Sequence, residues 1–232
     1  MKKTLLYITL FSIAMAFVES AVVVYLRVIY YPGGFAFPLA PIDQLVGVTE
    51  LLRELATMIM LLAVSIIAGR NFRQRFAYFI LCFGVWDIFY YVFLYLLLGW
   101  PQSLLTWDIL FLIPVTWTGP VIAPVTVSIT MIGIALSVLF YDEKQKSFRI
   151  SNLTWILWLA GAFIVFISLI YDYSVFVLQQ YSFREIWNLS GETLLVIARS
   201  YIPSKFNWFI FLAGEIVVLS GWILMILQTK RQ

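Results

Sequence analysis

Six long apolar runs alternate with short polar breaks along this chain, at about 4–26, 45–69, 76–99, 119–141, 153–173 and 207–228. A helix crossing a bilayer needs about 20 mostly apolar residues, whereas a tilted barrel strand needs only about 10. Runs of this length therefore predict helices, whose backbone polar groups are satisfied within each span. The expected fold is an all-α integral membrane protein. It is a bundle of about six transmembrane helices forming one membrane-embedded domain over residues 1–232, with short interfacial helices on the outer side.

Three breaks carry structural signals of their own. The stretch YYPGGFAFPLAPID (30–43) holds two glycines and three prolines and reads as a shaped loop. In GWPQSLLTWDILFLIPVTWTGPVIAP (99–124), residues 101–113 read as a short interfacial helix, and Pro120 then opens the fourth span, where its missing N–H costs little. Within 174–206, the amphipathic SGETLLVIARSY predicts a second interfacial helix, with Ser190 as its N-cap. The N-terminal MKK and the run that follows have the outline of a secretory leader. The apolar stretch continues through AVVVYLRVIYY, longer than a leader requires, so the segment is expected to be a retained anchor.

Composition places the bundle in lipid. Of 232 residues, 63% are hydrophobic and 12% charged, against about 45–50% and about 25% in soluble domains. Mean hydropathy is +0.97, so the bilayer is the first expected partner. The net charge of +3 comes from scattered basic residues at the ends of apolar runs, which is not a nucleic-acid footprint. There is no histidine, which removes Ser-His triads, histidine zinc sites and axial histidine ligation of haem. The lone Cys82 excludes an intramolecular disulfide. No resident cofactor and no metal site is implied by any motif.

Charge also gives an orientation. With the N-terminus in the cytoplasm, ten basic residues (Lys2, Lys3, Arg70, Arg73, Arg75, Lys144, Lys146, Arg149, Lys230 and Arg231) fall inside. Five (Arg27, Arg53, Arg184, Arg199 and Lys205) fall in the outer half. The positive-inside rule then predicts that both termini are cytoplasmic. Acids show the reverse skew. Only Asp142 and Glu143 lie inside, and the other ten carboxylates lie centrally or outward. Acids contribute little to topology, so the skew points to polar work in the outer half.

The candidate site follows from those acids. Glu50 and Glu54 on the second span lie one helical turn apart, with Arg53 three residues after Glu50. A charge at mid-bilayer costs roughly 2.5–3.5 kcal/mol on insertion scales, so this group demands either mutual pairing or a polar cavity. Asp87 sits mid-span in GVWDIFYY, with Gly84, Tyr90 and Tyr91 on its face and Arg53 as the expected partner. Glu19 and Glu215 reach similar depth on the first and sixth spans. Glu19, Glu50, Arg53, Glu54, Asp87, Tyr90, Tyr91 and Glu215 are therefore the expected ligand- or proton-binding residues, with Trp86 a candidate for stacking on a bound ring. Arg27, Asp108 and Asp172 read as ordinary interface charges. Trp100, Trp107, Trp117, Trp187 and Trp208 read as an aromatic belt.

Three functions fit this pattern. One is binding or transport of a small polar or cationic ligand, or of protons, by the acidic and aromatic site, in a chain small enough to act as a homo-oligomer. Another is an accessory role in a larger membrane complex. The third is a histidine-free enzyme acting on a lipid or isoprenoid, with carboxylates and tyrosines as acid–base groups.

Overall fold

A computed structural model describes residues 2–145, 147–186, 188, 189 and 191–230. Six long helices are present: α1 (Lys2–Tyr30), α2 (Gln44–Ala68), α3 (Phe72–Leu98), α4 (Ile122–Lys144), α5 (Asn152–Leu178) and α8 (Trp208–Thr229). Between α5 and α8 lie two short ones, α6 (Phe183–Ile186) and α7 (Gly191–Ser200). All six long helices are long and apolar enough to cross a membrane, so the chain has the build of a multi-pass membrane protein. Their number and order match the six apolar runs, and several extend past them. α3 starts at Phe72 because Asn71 caps it, its side chain accepting from the Gln74 N–H. It ends at Gly99, which adopts the left-handed conformation (φ 63°) that glycine enters without a Cβ penalty.

One element is not helical. Residues Trp107–Phe111 (β1) and Trp117–Pro120 (β2) pair antiparallel as a hairpin. This corrects both the short helix expected over 101–113 and the all-α description. It also moves the start of the fourth span, because Pro120 ends β2 opposite Trp107 and α4 begins at Ile122. Short apolar runs do not distinguish strand from helix by periodicity. Here Trp107, Ile109 and Phe111 favour a pleated surface, and side chains from distant helices hold the hairpin, as described below. An amphipathic helix does form at 191–200, while Ser190, its expected cap, lies outside the described residues.

α3 is the centre of the bundle, with α1, α2 and α4 packed on it. α5 and α8 form a second pair, joined to the first through α4 and through β2. Both joints depend on small residues. A Cβ built on Gly161 of α5 would lie 2.8 Å from the Gly214 carbonyl of α8, a separation that only glycine at this crossing permits. On α3, a Cβ on Gly84 would lie 2.8 Å from the Ser128 carbonyl of α4. Ser20 ties α1 to α3 by donating to the Tyr90 carbonyl at 3.1 Å.

Candidate functional site

The acids of the second span gather around one guanidinium. Arg53 Nη2 lies 2.7 Å from Glu50 Oε2 on its own helix, and Arg53 Nη1 donates across to Glu19 of α1. The other oxygen of Glu19 accepts from the Thr57 hydroxyl at 3.1 Å. Residues 50, 53, 54 and 57 are spaced at three and four along α2, which places them on one helical face. That face meets α1 where Glu19 projects. Asp43, seven residues before Glu50, is exposed at the start of α2 and makes no capping bond.

Glu54 turns away from Arg53's other partners and toward the hairpin. Both of its carboxylate oxygens accept from the Leu112 N–H, at 2.9 and 3.2 Å, in the loop between β1 and β2. An ionised acceptor makes such a bond roughly twice as strong as a neutral one. The hairpin tip is therefore anchored by a carboxylate 58 residues away.

A second cluster anchors the hairpin at its base. Asp108 in β1 is 2% exposed. It accepts from Arg27 Nη2 at 3.2 Å and from the Tyr91 hydroxyl at 3.3 Å. Its carboxyl is raised from 3.8 to about 6, chiefly because burial disfavours the charged form, with Arg27 opposing the rise. The Arg27 guanidinium lies 3.7 Å from the Trp100 ring centroid and 4.4 Å from that of Phe35. Arg27, Asp108 and Trp100 are thus corrected from outer interface residues to buried ones, with Trp100 only 4% exposed. Tyr90, with its ring 5.0 Å from that of Tyr91, lies within electrostatic range of both Arg27 and Arg53 and so sits between the two clusters.

The remaining expected site residues are held separately. Asp87 accepts from Ser128 of α4 at 2.8 Å. Its expected partner, Arg53, is occupied by Glu19 and Glu50, and this corrects the assignment. Gly84 makes the Asp87 contact possible, since the missing Cβ one turn earlier lets the Ser128 backbone approach α3. Glu215 of α8 accepts from Thr130 of α4 at 2.9 Å. Trp86 packs among Phe83, Tyr90 and Phe111 in the core. Beyond the expected set, Asp172 accepts from the Tyr201 hydroxyl, the Ser204 hydroxyl and two backbone N–H groups. It fastens the segment after α7 to α5.

Thr57, Ser128 and Thr130 are polar residues that the sequence does not single out, and Arg27 and Asp108 read from it only as interface charges. The hydroxyls carry no sequence signal, because a serine or threonine in a span equally often bonds its own helix, as Ser12 does with Ile8. Arg27 lies in the last turn of α1 and Asp108 in the hairpin between α3 and α4, so no spacing along the chain pairs them. Among the described residues no group of three or more acids, cysteines or histidines is arranged to hold a metal ion. No protein-family model, curated protein or solved structure matches the chain.

Proposed function

We propose that the chain is a multi-pass membrane protein that binds a proton or small cation at the Glu19–Glu50–Arg53–Glu54 cluster, in the outer half of the bilayer. The reading rests on one observation: two carboxylates, Glu19 and Glu50, pair with a single guanidinium, and a third, Glu54, lies within its electrostatic range. Fully ionised, the group carries three negative charges against one positive, a net of −2. Arg27 and Asp108 cancel one another, so they supply no counter-charge. Asp87 and Glu215, each met by one hydroxyl, add to the acidic excess. An uncompensated charge is expensive at this depth, so protons or cations complete the site. The excess of basic residues in the loops after α2 and α4 and at both ends supports cytoplasmic termini. α7, with its amphipathic sequence, then lies along the outer interface.

Infrared spectroscopy of the protein in lipid tests this directly. Titration between about pH 5 and about pH 8 should reveal the carbonyl stretch of protonated carboxyls. Glu50→Gln and Glu54→Gln should each remove part of that amplitude. Sodium or ammonium, if it is the ligand, should suppress the band at fixed pH. A spectrum insensitive to pH, cations and both substitutions overturns the reading.

A second reading, an accessory subunit or homo-oligomer, is favoured by α2. It packs on α3 and only lightly on α1, leaving Leu52, Ile59, Leu62 and Ile67 exposed. Its tie to α1 is chiefly the Arg53–Glu19 pair, the geometry of a pin. Native mass spectrometry after mild solubilisation distinguishes the two, since a monomer carrying no partner counts against the second.

A further inference from the structure

Apart from the acidic cluster, two arginines among the described residues have a buried donor to spare, Arg27 at Nη1 and Arg199 at Nε, and of these Arg27 is the more buried. Arg27 is only 7% exposed, and the rings of Trp100 and Phe35 hold its guanidinium plane. An arginine presents five N–H donors in a rigid fork. Asp108 takes a hydrogen bond from Nη2, whereas Nη1 is buried with no hydrogen-bond partner. A buried donor without an acceptor is rare enough to need an explanation.

The same arginine lines an open cleft of about 380 Å³, together with Val28, Phe35, Leu98, Trp100 and Gln102. The cleft walls are largely apolar. The one hydroxyl among its lining residues, on Tyr31, already accepts from the Ala40 N–H at 2.9 Å. Val28 is 63% exposed, so the apolar wall continues onto the outside of the helix, where an acyl chain would run alongside in a bilayer. The cleft therefore has one cation in its wall, whose spare donor is covered, and an apolar track leading away from it. Guanidinium edges of this kind suit oxyanions, which accept two N–H bonds in plane.

We propose that this cleft binds a phosphate-bearing ligand, its oxyanion accepting from Arg27 Nη1 and its apolar portion lying along Val28 and Leu98. The phosphate is that of a lipid headgroup or of a free phosphate, and the chemistry recognised is the same. The site is independent of the acidic cluster and shares no residue with it.

Thermal unfolding of the full chain in a neutral maltoside detergent provides the test. Cys82 is the only cysteine and is fully buried, so its labelling by a thiol dye reports unfolding. Dihexanoyl phosphatidic acid should raise the midpoint saturably, and dihexanoyl glycerol, which lacks the phosphate, should not. An equal effect of inorganic phosphate identifies a free phosphate as sufficient, while an effect of the phospholipid alone identifies the headgroup with its chains. Val28→Trp fills the cleft from an exposed position, and Arg27→Lys keeps the charge but loses the planar fork. Each should weaken binding at least about tenfold. The proposal is overturned if neither phosphate compound shifts the midpoint, if the diacylglycerol shifts it equally, or if binding is undiminished in either variant.

Discussion

Arg53 of α2 donates across to Glu19 of α1 and, through the same guanidinium, to Glu50 of its own helix. Helix α2 otherwise makes only light contact with α1, so this ion pair is a principal link between the first two spans.

Removing one partner of a buried pair leaves an uncompensated charge and costs about 3–5 kcal/mol. Arg53→Met should fall at the lower end, about 3 kcal/mol, because the Arg53 side chain is 20% exposed. Glu19→Gln in the Arg53→Met background should restore part of the loss, since the more buried of the two stranded carboxylates, Glu19, is then neutral while Glu50 remains. Thermal unfolding read at the Cys82 thiol measures both. A double variant as unstable as the single one would show that Arg53 acts through packing instead.

Asp108 lies in the hairpin, and its folded-state carboxyl sits near 6 against 3.8 for an ordinary one. The groups facing it are Arg27 on α1 and Asp87, Tyr90 and Tyr91 on α3. A raised folded-state value means that the native protein holds the proton more tightly than the unfolded chain. The contribution to stability is therefore fully present below about pH 4 and is lost as pH rises through about 6. Asp108→Asn, which resembles the protonated form at every pH, should flatten the fall in melting temperature across that window. An unchanged slope in the variant would assign the pH dependence to other groups.

Gly84 sets the distance between α3 and α4. Gly84→Ala places a methyl 2.8 Å from the Ser128 carbonyl and 3.0 Å from Ile132 Cγ1, which forces the helices apart and stretches the Asp87–Ser128 bond. Overpacking of this kind costs about 1–3 kcal/mol. Gly33→Ala is the control, because a Cβ there meets nothing within 4 Å and stability should hardly change. Equal loss in both would refute the close-approach argument.

The hairpin shows where reading of the chain stopped. Trp107–Phe111 is apolar enough for a helix or a strand, and its conformation is decided by Glu54 at one end and by Arg27 and Tyr91 at the other. These contacts span 58, 81 and 17 residues, beyond the reach of any local pattern. The acids within the spans were legible because charges are rare in lipid and each stands out against an apolar run. Which carboxylate meets which partner was not. Asp87 pairs with the Ser128 hydroxyl rather than with Arg53, its expected partner, and a hydroxyl that satisfies a distant acid looks the same in sequence as one that satisfies its own helix.

The sequence by itself determined the six apolar helices, their order and which of them carry acids. Hydropathy over about 20 residues reflects a transfer free energy that hardly depends on what the neighbouring helix is. The tertiary structure decided that the acids are divided among Arg53, Leu112, Ser128 and Thr130, and that Arg27 is clamped beneath Trp100 with a donor left open. Those pairings depend on helix rotation and crossing distance, fixed by small residues such as Gly84 and Gly161, and no charge pattern along one helix carries that information.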